Sequence, residues 1–284
     1  MPHLLCVMFL AMGSLSSPVQ TSNTNQRPVQ ITNSSQEGEE PQASSAGSLA
    51  VQALPQVVPP PATASAGDLE KAGDELRARK RYNDAIAYYL AAIRKSDSAE
   101  LHNKAGIAYL QTLQLGKAQK EFSQAVRMNH IYAEALNNRG VVFYMEKKYR
   151  KAIGEYQKAL KLNDSSASFH SNLGMALFEK REFERGAAEF VRALELDPQI
   201  FDRQSHSGIS ARMASPQDRG RYAYTLARIY ATQGIYDRSL EYLQKAIEEG
   251  YVKIRDVYND SAFAGLRQDP RFAKVMEKTE SLPN

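Results

Sequence analysis

Glycines at positions 73, 106, 140 and 174 recur at intervals of 33, 34 and 34 residues. Each is followed by a small residue twelve places on (Ala85, Ala118, Ala152, Gly186) and an aromatic sixteen places on (Tyr89, Phe122, Tyr156, Phe190). An alanine closes each copy nineteen places on (Ala92, Ala125, Ala159, Ala193). Agreement at three further columns in four copies constrains the fold strongly: the chain is built from alike units that bury their apolar sides against one another. A glycine inside a helix costs about 1 kcal/mol relative to alanine. Its periodic return therefore points to helices that approach closer than a side chain permits.

The register resembles that of the tetratricopeptide repeat, about 34 residues of helix, turn and helix with small residues at the helix crossing and aromatics around it. The resemblance implies an all-α, right-handed α-solenoid. A fifth copy follows an interruption, with Leu226, Ala227, Tyr230, Gly234, Tyr236, Ser239, Leu243 and Ala246 in the same columns. The expected organisation is repeats at 66–98, 99–132, 133–166 and 167–200, an insertion at 201–219, a fifth repeat at 220–253 and capping helices at 254–284. Within the insertion, Ser215, Pro216 and Asp218 supply an N-cap hydroxyl, a proline suited to the first helical position and an acid three residues on, so the fifth repeat's first helix is expected to start early. Asp269-Pro270 opens a last helix carrying Phe272, Val275 and Met276. The Asp269-Pro270-Arg271-Phe272 ending resembles that of bacterial repeat proteins.

Composition divides the chain near residue 66. Of 36 basic and 32 acidic residues, only Arg27, Glu37, Glu39 and Glu40 fall within 1–67, which leaves 35 and 29 for the repeats. The apolar run at residues 4–12 is shorter than the roughly 20 residues of a membrane span and suits an export signal at 1–13. The expected location is the periplasm or cell envelope, with the cytoplasm as the alternative. Residues 14–65, rich in Ser, Gln, Pro, Ala and Thr, read as a disordered linker. The single cysteine, Cys6, lies within the proposed signal, so a processed chain needs no disulfide.

Sequence motifs for chemistry are missing. The histidines at 3, 102, 130, 170 and 206 make no His-Glu-x-x-His pair and no metal-ligand cluster, and His102 and His170 read as packing or capping residues. Neither a phosphate-cradling glycine motif nor a Gly-x-Ser-x-Gly elbow occurs. The reading is a non-enzymatic chain with no cofactor and no metal. Basic runs at 77–81 and 147–151 fall at turns between paired helices. They leave open a second reading, a binder of nucleic acid or of an anionic envelope surface with peripheral association there. A third is an accessory subunit of an enzyme on another chain.

In the family that the repeats resemble, positions 5, 9 and 12 of each first helix line a concave groove. They are Glu70, Asp74 and Arg77 in repeat one; Asn103, Ile107 and Leu110 in repeat two; Asn137, Val141 and Tyr144 in repeat three; Ser171, Met175 and Phe178 in repeat four; and Tyr224, Arg228 and Ala231 in repeat five. Asn138 and Asn172, at position 6, match a column where some members hold a peptide backbone. Members that grip acidic C-terminal tails place cations at particular positions of these helices, where repeats two to four of this chain have Asn103, Ile107, Asn138, Ser168 and Asn172. The resemblance thus implies an exposed apolar floor in repeats two to four for a peptide or amphipathic segment of another protein. Tyr144 and Phe178 are expected to be dispensable for folding. The alternative occupants are the chain's own C-terminal helices or the apolar stretch at 49–54.

Overall fold

The computed structural model describes residues 59–201 and 216–280. The proposed export signal, nearly all of the expected linker, the stretch at 49–54 and most of the insertion lie outside the described residues. Every regular element among those described is helical. Four helix pairs come first: α1 (Ala66–Ala78) with α2 (Tyr82–Lys95), α3 (Ala99–Gln111) with α4 (Leu115–Met128), α5 (Ala133–Met145) with α6 (Tyr149–Leu162), and α7 (Ala167–Glu179) with α8 (Phe183–Leu196). The fifth pair is α9 (Pro216–Thr232) and α10 (Tyr236–Glu248), so its first helix starts at the proline that the sequence marked. The cap consists of α11 (Ile254–Asn259), two short 3-10 turns (Ser261–Phe263 and Leu266–Gln268) and α12 (Pro270–Glu280). Consecutive helices pack within each pair and from one pair to the next.

The glycine column explains the pairing. A Cβ placed on Gly73, Gly106, Gly140 or Gly174 would stand 2.5 to 2.7 Å from the ring of Tyr89, Phe122, Tyr156 or Phe190 respectively. The aromatic sixteen residues on therefore lies directly against the glycine backbone of its own repeat. Each ring is fully buried, as are the alanines twelve and nineteen places on, with Gly186 in the alanine column of repeat four.

Each pair closes through the same turn. The residue at its tip donates its N–H three residues back and the next donates five residues back: Lys147 to Tyr144 and Lys148 to Phe143, both at 2.8 Å, with counterparts in all five repeats. This helix ending needs a left-handed residue, which favours glycine. Gly234 supplies it in repeat five (φ 74), whereas Lys80, Leu113, Lys147 and Arg181 adopt φ of 59 to 62 in the others. The first four turns carry no glycine signal in the sequence.

A second column ties each middle repeat together. Glu121, Glu155 and Glu189 lie 34 residues apart on the second helices and each meets a base from its first helix. His102 Nδ1 lies 2.6 Å from Glu121, the Arg139 guanidinium donates to Glu155 at 2.5 and 3.0 Å, and His170 Nδ1 lies 2.6 Å from Glu189. His170 Nε2 also lies 3.0 Å from the Asp164 carbonyl oxygen. Both histidines thus bridge helices rather than only fill space. Burial lowers the His170 pKa, but its bonds to the Glu189 carboxylate and the Asp164 carbonyl outweigh this and the opposing charge of Arg192, leaving it above the usual 6.5.

Gly140→Leu is expected to force bulk against Tyr156 and cost about 1–3 kcal/mol or more, whereas Gly154→Ala, with open space at its Cβ, should gain about 0.5–1 kcal/mol. Thermal melts of the two variants check this; a melting temperature unchanged by Gly140→Leu contradicts the contact. The His170 stabilisation, with the folded pKa raised, is complete below the unfolded value and lost as pH rises through the folded one. The melting-temperature gap between wild type and His170→Gln should therefore be widest below the unfolded imidazole value of about 6.5 and narrow as pH rises above it.

Candidate functional site

The first helices α3, α5 and α7 lie side by side, and their mutual spacing decides what the concave positions do. Asn172 Nδ2 donates to Asn137 Oδ1 at 3.0 Å, Asn137 Nδ2 to Asn138 Oδ1 at 3.3 Å, and Asn138 Nδ2 to Asn103 Oδ1 at 3.0 Å. Asn103 Nδ2 donates in turn to the Tyr132 hydroxyl at 3.2 Å. Four side-chain amides thus run head to tail across three repeats, all buried. Each amide orients the next, and in a low-dielectric interior such a chain polarises cooperatively. Burial, with the carboxylate of Glu134, pushes the Tyr132 phenol up to about 12, so it stays protonated throughout the ordinary range.

The expectation of an exposed apolar floor is corrected here. Asn103, Ile107, Leu110, Asn137, Asn138, Val141, Ser171, Asn172, Met175 and Phe178 are all buried, and of the central concave residues only Tyr144 is partly exposed. The amides bond to one another across adjacent first helices. Ile107, Leu110 and Val141 belong to a core cluster with Ala105, Ala108 and Leu177, while Met175 and Phe178 belong to another.

Phe178 shows the reason most clearly. Its ring centroid lies 5.2 Å from that of Phe183, 5.3 Å from Phe190 and 5.8 Å from Tyr222. A Cβ on Gly186 would come within 2.7 Å of Phe178, so repeat four has glycine where its neighbours have alanine because the phenyl ring occupies that space. Phe178 is a core residue, and the expectation that its truncation spares the fold does not hold. Tyr144 stands at the boundary, its ring edge-on to Tyr149 at 5.4 Å and its hydroxyl donating to Glu179 at 3.3 Å.

Both ends of the concave face are engaged by the chain's own residues. At repeat one, Lys104 reaches back to Glu70 and Asp74, each at 2.6 Å, while the Tyr89 hydroxyl donates to Asp74 at 2.7 Å and accepts from the Arg77 guanidinium at 3.3 Å. At repeat five, the Tyr224 hydroxyl donates to Asp260 at 2.7 Å, Arg228 pairs with the same carboxylate at 2.9 Å, and Tyr224 packs on Phe263. The C-terminal cap therefore covers the fifth repeat's contribution. Among the described residues no group of three potential metal ligands converges, and no helix is long and apolar enough to cross a membrane.

Models of the tetratricopeptide repeat match residues 133–166, 167–200 and 220–249. The protein carries tetratricopeptide repeats. No match was found among functionally curated proteins. Among solved structures, the tetratricopeptide fold of this chain is similar to that of Pseudomonas aeruginosa PilF, at 16% identity and a TM-score of 0.50, over 75% of this chain and 88% of that one. It is also similar to YrrB, described as a tetratricopeptide protein with an unusual peptide-binding site (20% identity, TM-score 0.44, 65% and 86% covered). A third is MamA from Desulfovibrio magneticus (17% identity, TM-score 0.47, 65% and 94% covered). At these identities the likeness is one of fold.

Sequence reasoning missed Tyr132 as the end of the amide chain and the glutamate column at 121, 155 and 189. The latter was legible as a 34-residue period; the former was not, because Tyr132 precedes α5 and lies outside the repeat pattern. Phe178→Ala is expected to cost about 3–5 kcal/mol, as for an aromatic removed from a packed interior. Tyr144→Ala, at a half-exposed position, should cost clearly less. Denaturant titrations rank the two, and equal losses would contradict the boundary placement of Tyr144.

Proposed function

We propose that this protein is a non-catalytic scaffold that holds a segment of another protein, with the concave face of repeats two to four as the place of contact. The observation that carries the reading is the repeat array itself, since stacked helix pairs present an extended surface made by several units at once. The partly exposed Tyr144, set among uncharged neighbours, supports an apolar or amphipathic segment as the occupant. Around it Ile107, Leu110, Val141, Met175 and Phe178 lie buried beside the neutral amides of Asn103, Asn137, Asn138 and Asn172 and the hydroxyl of Ser171. None of these carries a charge for gripping a carboxylate or phosphate. YrrB is described as having a peptide-binding site, and a further similar structure is the first such domain of Spaghetti bound to the peptide SRMEEVD, at 21% identity and a TM-score of 0.39, over 44% of this chain and 94% of that one. Function nonetheless belongs to the site, not the fold.

Because the floor side chains are engaged with one another, an incoming segment meets chiefly the partly exposed Tyr144 and the edges of its neighbours. Entry further in requires the first helices to separate. The full-length chain, immobilised and exposed to lysate of its native cells, should retain a partner that Tyr144→Ala retains about tenfold less, at unchanged helical content, as expected for an aromatic anchor worth about 1–2 kcal/mol. An identical set of proteins on wild type and variant would reject the concave face as the contact.

A further inference from the structure

In a stack of helix pairs the turns within pairs share one edge and the links between pairs share the other. At repeats three and four the turn edge is cationic. Lys147, Lys148, Tyr149, Arg150, Lys151 and Lys180 line one depression of about 300 Å³, so two adjacent repeats contribute to the same concavity, and Arg181 follows directly. The acids nearby offset only part of this charge: Glu146 pairs with Lys148 at 2.9 Å, Glu182 pairs with Arg185, Asp218 stands 3.9 Å from Arg181, and Glu179 accepts from the hydroxyls of Tyr144 and Tyr149. The Lys151 ammonium lies 5.7 Å from the centre of the Phe143 ring. Among the described residues Lys147, Arg150 and Lys180 make no ion pair.

Packing does not explain these cations. Lys147 and Arg150 are exposed, and the turn of repeat two does the same structural work with Leu113 and Gln114. At the tip of the turn Lys147 adopts φ 59, a conformation that repeat five gives to Gly234. The turn of repeat one carries a like basic run at 77–81, with Lys80 in the same conformation, but there Arg81 pairs with Asp84. At repeats three and four, cations of two adjacent repeats line one depression, with Lys147 placed where folding alone would favour glycine.

We propose that this depression docks a run of acidic residues on a partner protein, as a surface separate from the concave floor. Lysine presents a point charge on a flexible stem and adapts to carboxylates of irregular spacing, while Arg150 offers one carboxylate a bidentate fork. Nucleic acid fits less well. The Tyr149 ring is packed against Tyr144 with its hydroxyl on the Glu179 carboxylate, and the links between repeats carry Asp97, Asp164 and Asp197; these acids repel a polyanion laid across the array. Contacts between exposed charges are screened by salt, so affinity here is salt-dependent.

The test uses the full-length protein and a fluorescent peptide of about ten glutamates in about 50 mM salt, where screening is weak. Binding is expected, and Lys147→Gly with Lys180→Ala should weaken it about fivefold or more, the effect of losing two charge contacts of modest strength. The melting temperature should stay level or rise, because glycine relaxes the left-handed turn. Arg79→Ala with Lys80→Gly, the equivalent change in repeat one, should leave the affinity within about twofold. The proposal is overturned by no binding, by equal weakening in the repeat-one variant, by no weakening in the repeat-three and -four variant, or by tighter capture of single-stranded DNA or phosphatidylserine vesicles than of the peptide. The concave-face reading is tested by a different variant and a different readout, so either can fail without the other.

Discussion

The contact on which the rest of the structure depends is that between a helical glycine and the aromatic ring sixteen residues later. It is repeated at Gly73–Tyr89, Gly106–Phe122, Gly140–Tyr156 and Gly174–Phe190, and in each the ring rests where a Cβ would otherwise be. This fixes how closely the two helices of a repeat cross. A helix interior bears the cost of glycine because the buried ring returns more, roughly 1.5–3 kcal/mol for a large side chain removed from water. The rings also couple one repeat to the next. Phe190 meets Phe201 and Tyr222, at 5.3 and 5.6 Å between centroids, which carries the packing across the insertion to the fifth pair.

With the crossing fixed, the first helices fall at a constant distance, and their facing side chains have to be satisfied. Asparagine can both donate and accept, so four of them complete one another from repeat to repeat without a charge. A buried amide without a partner costs about 1–3 kcal/mol. The chain through Asn172, Asn137, Asn138 and Asn103 to Tyr132 therefore helps to set the register of three first helices, since a shift would leave buried amides unpaired. The polar residues of the inner face serve the array before they serve any ligand.

The fold was legible because the glycine, alanine and aromatic columns record one packing solution four times. The inner face was less legible, for reasons visible in particular residues. Position within a helix places Phe178 on the concave stripe, but the depth of that stripe depends on the neighbouring pair, here Phe183, Phe190 and Tyr222. The substitution of Gly186 for alanine in the same repeat was the available sign that a large ring enters there. Asn138 and Asn172 were recognisable as a column, yet their partners lie 35 residues away on the preceding first helix, a relation no local pattern states. The tight turns were legible only in repeat five, where Gly234 marks the left-handed residue; lysine, leucine and arginine take the same conformation elsewhere because the two flanking hydrogen bonds hold them there.

Where the array leaves surface for a partner follows from what its own side chains have already closed. Lys104 satisfies the acids of repeat one, and the cap, through Asp260 and Phe263, occupies the inner positions of repeat five. Repeats two to four remain, and within them Tyr144 occupies a particular place. Its carbonyl accepts the N–H of Lys147 at the tip of the cationic turn, its ring meets Tyr149 in the depression beyond, and its hydroxyl reaches Glu179 on the next first helix. One side chain thus joins the rim of the inner face to the basic edge. A partner segment that is apolar along part of its length and acidic further on would find both surfaces within one repeat of each other. Two weak contacts tied by a short connection bind far more tightly than either alone, because the second contact forms at a high effective concentration.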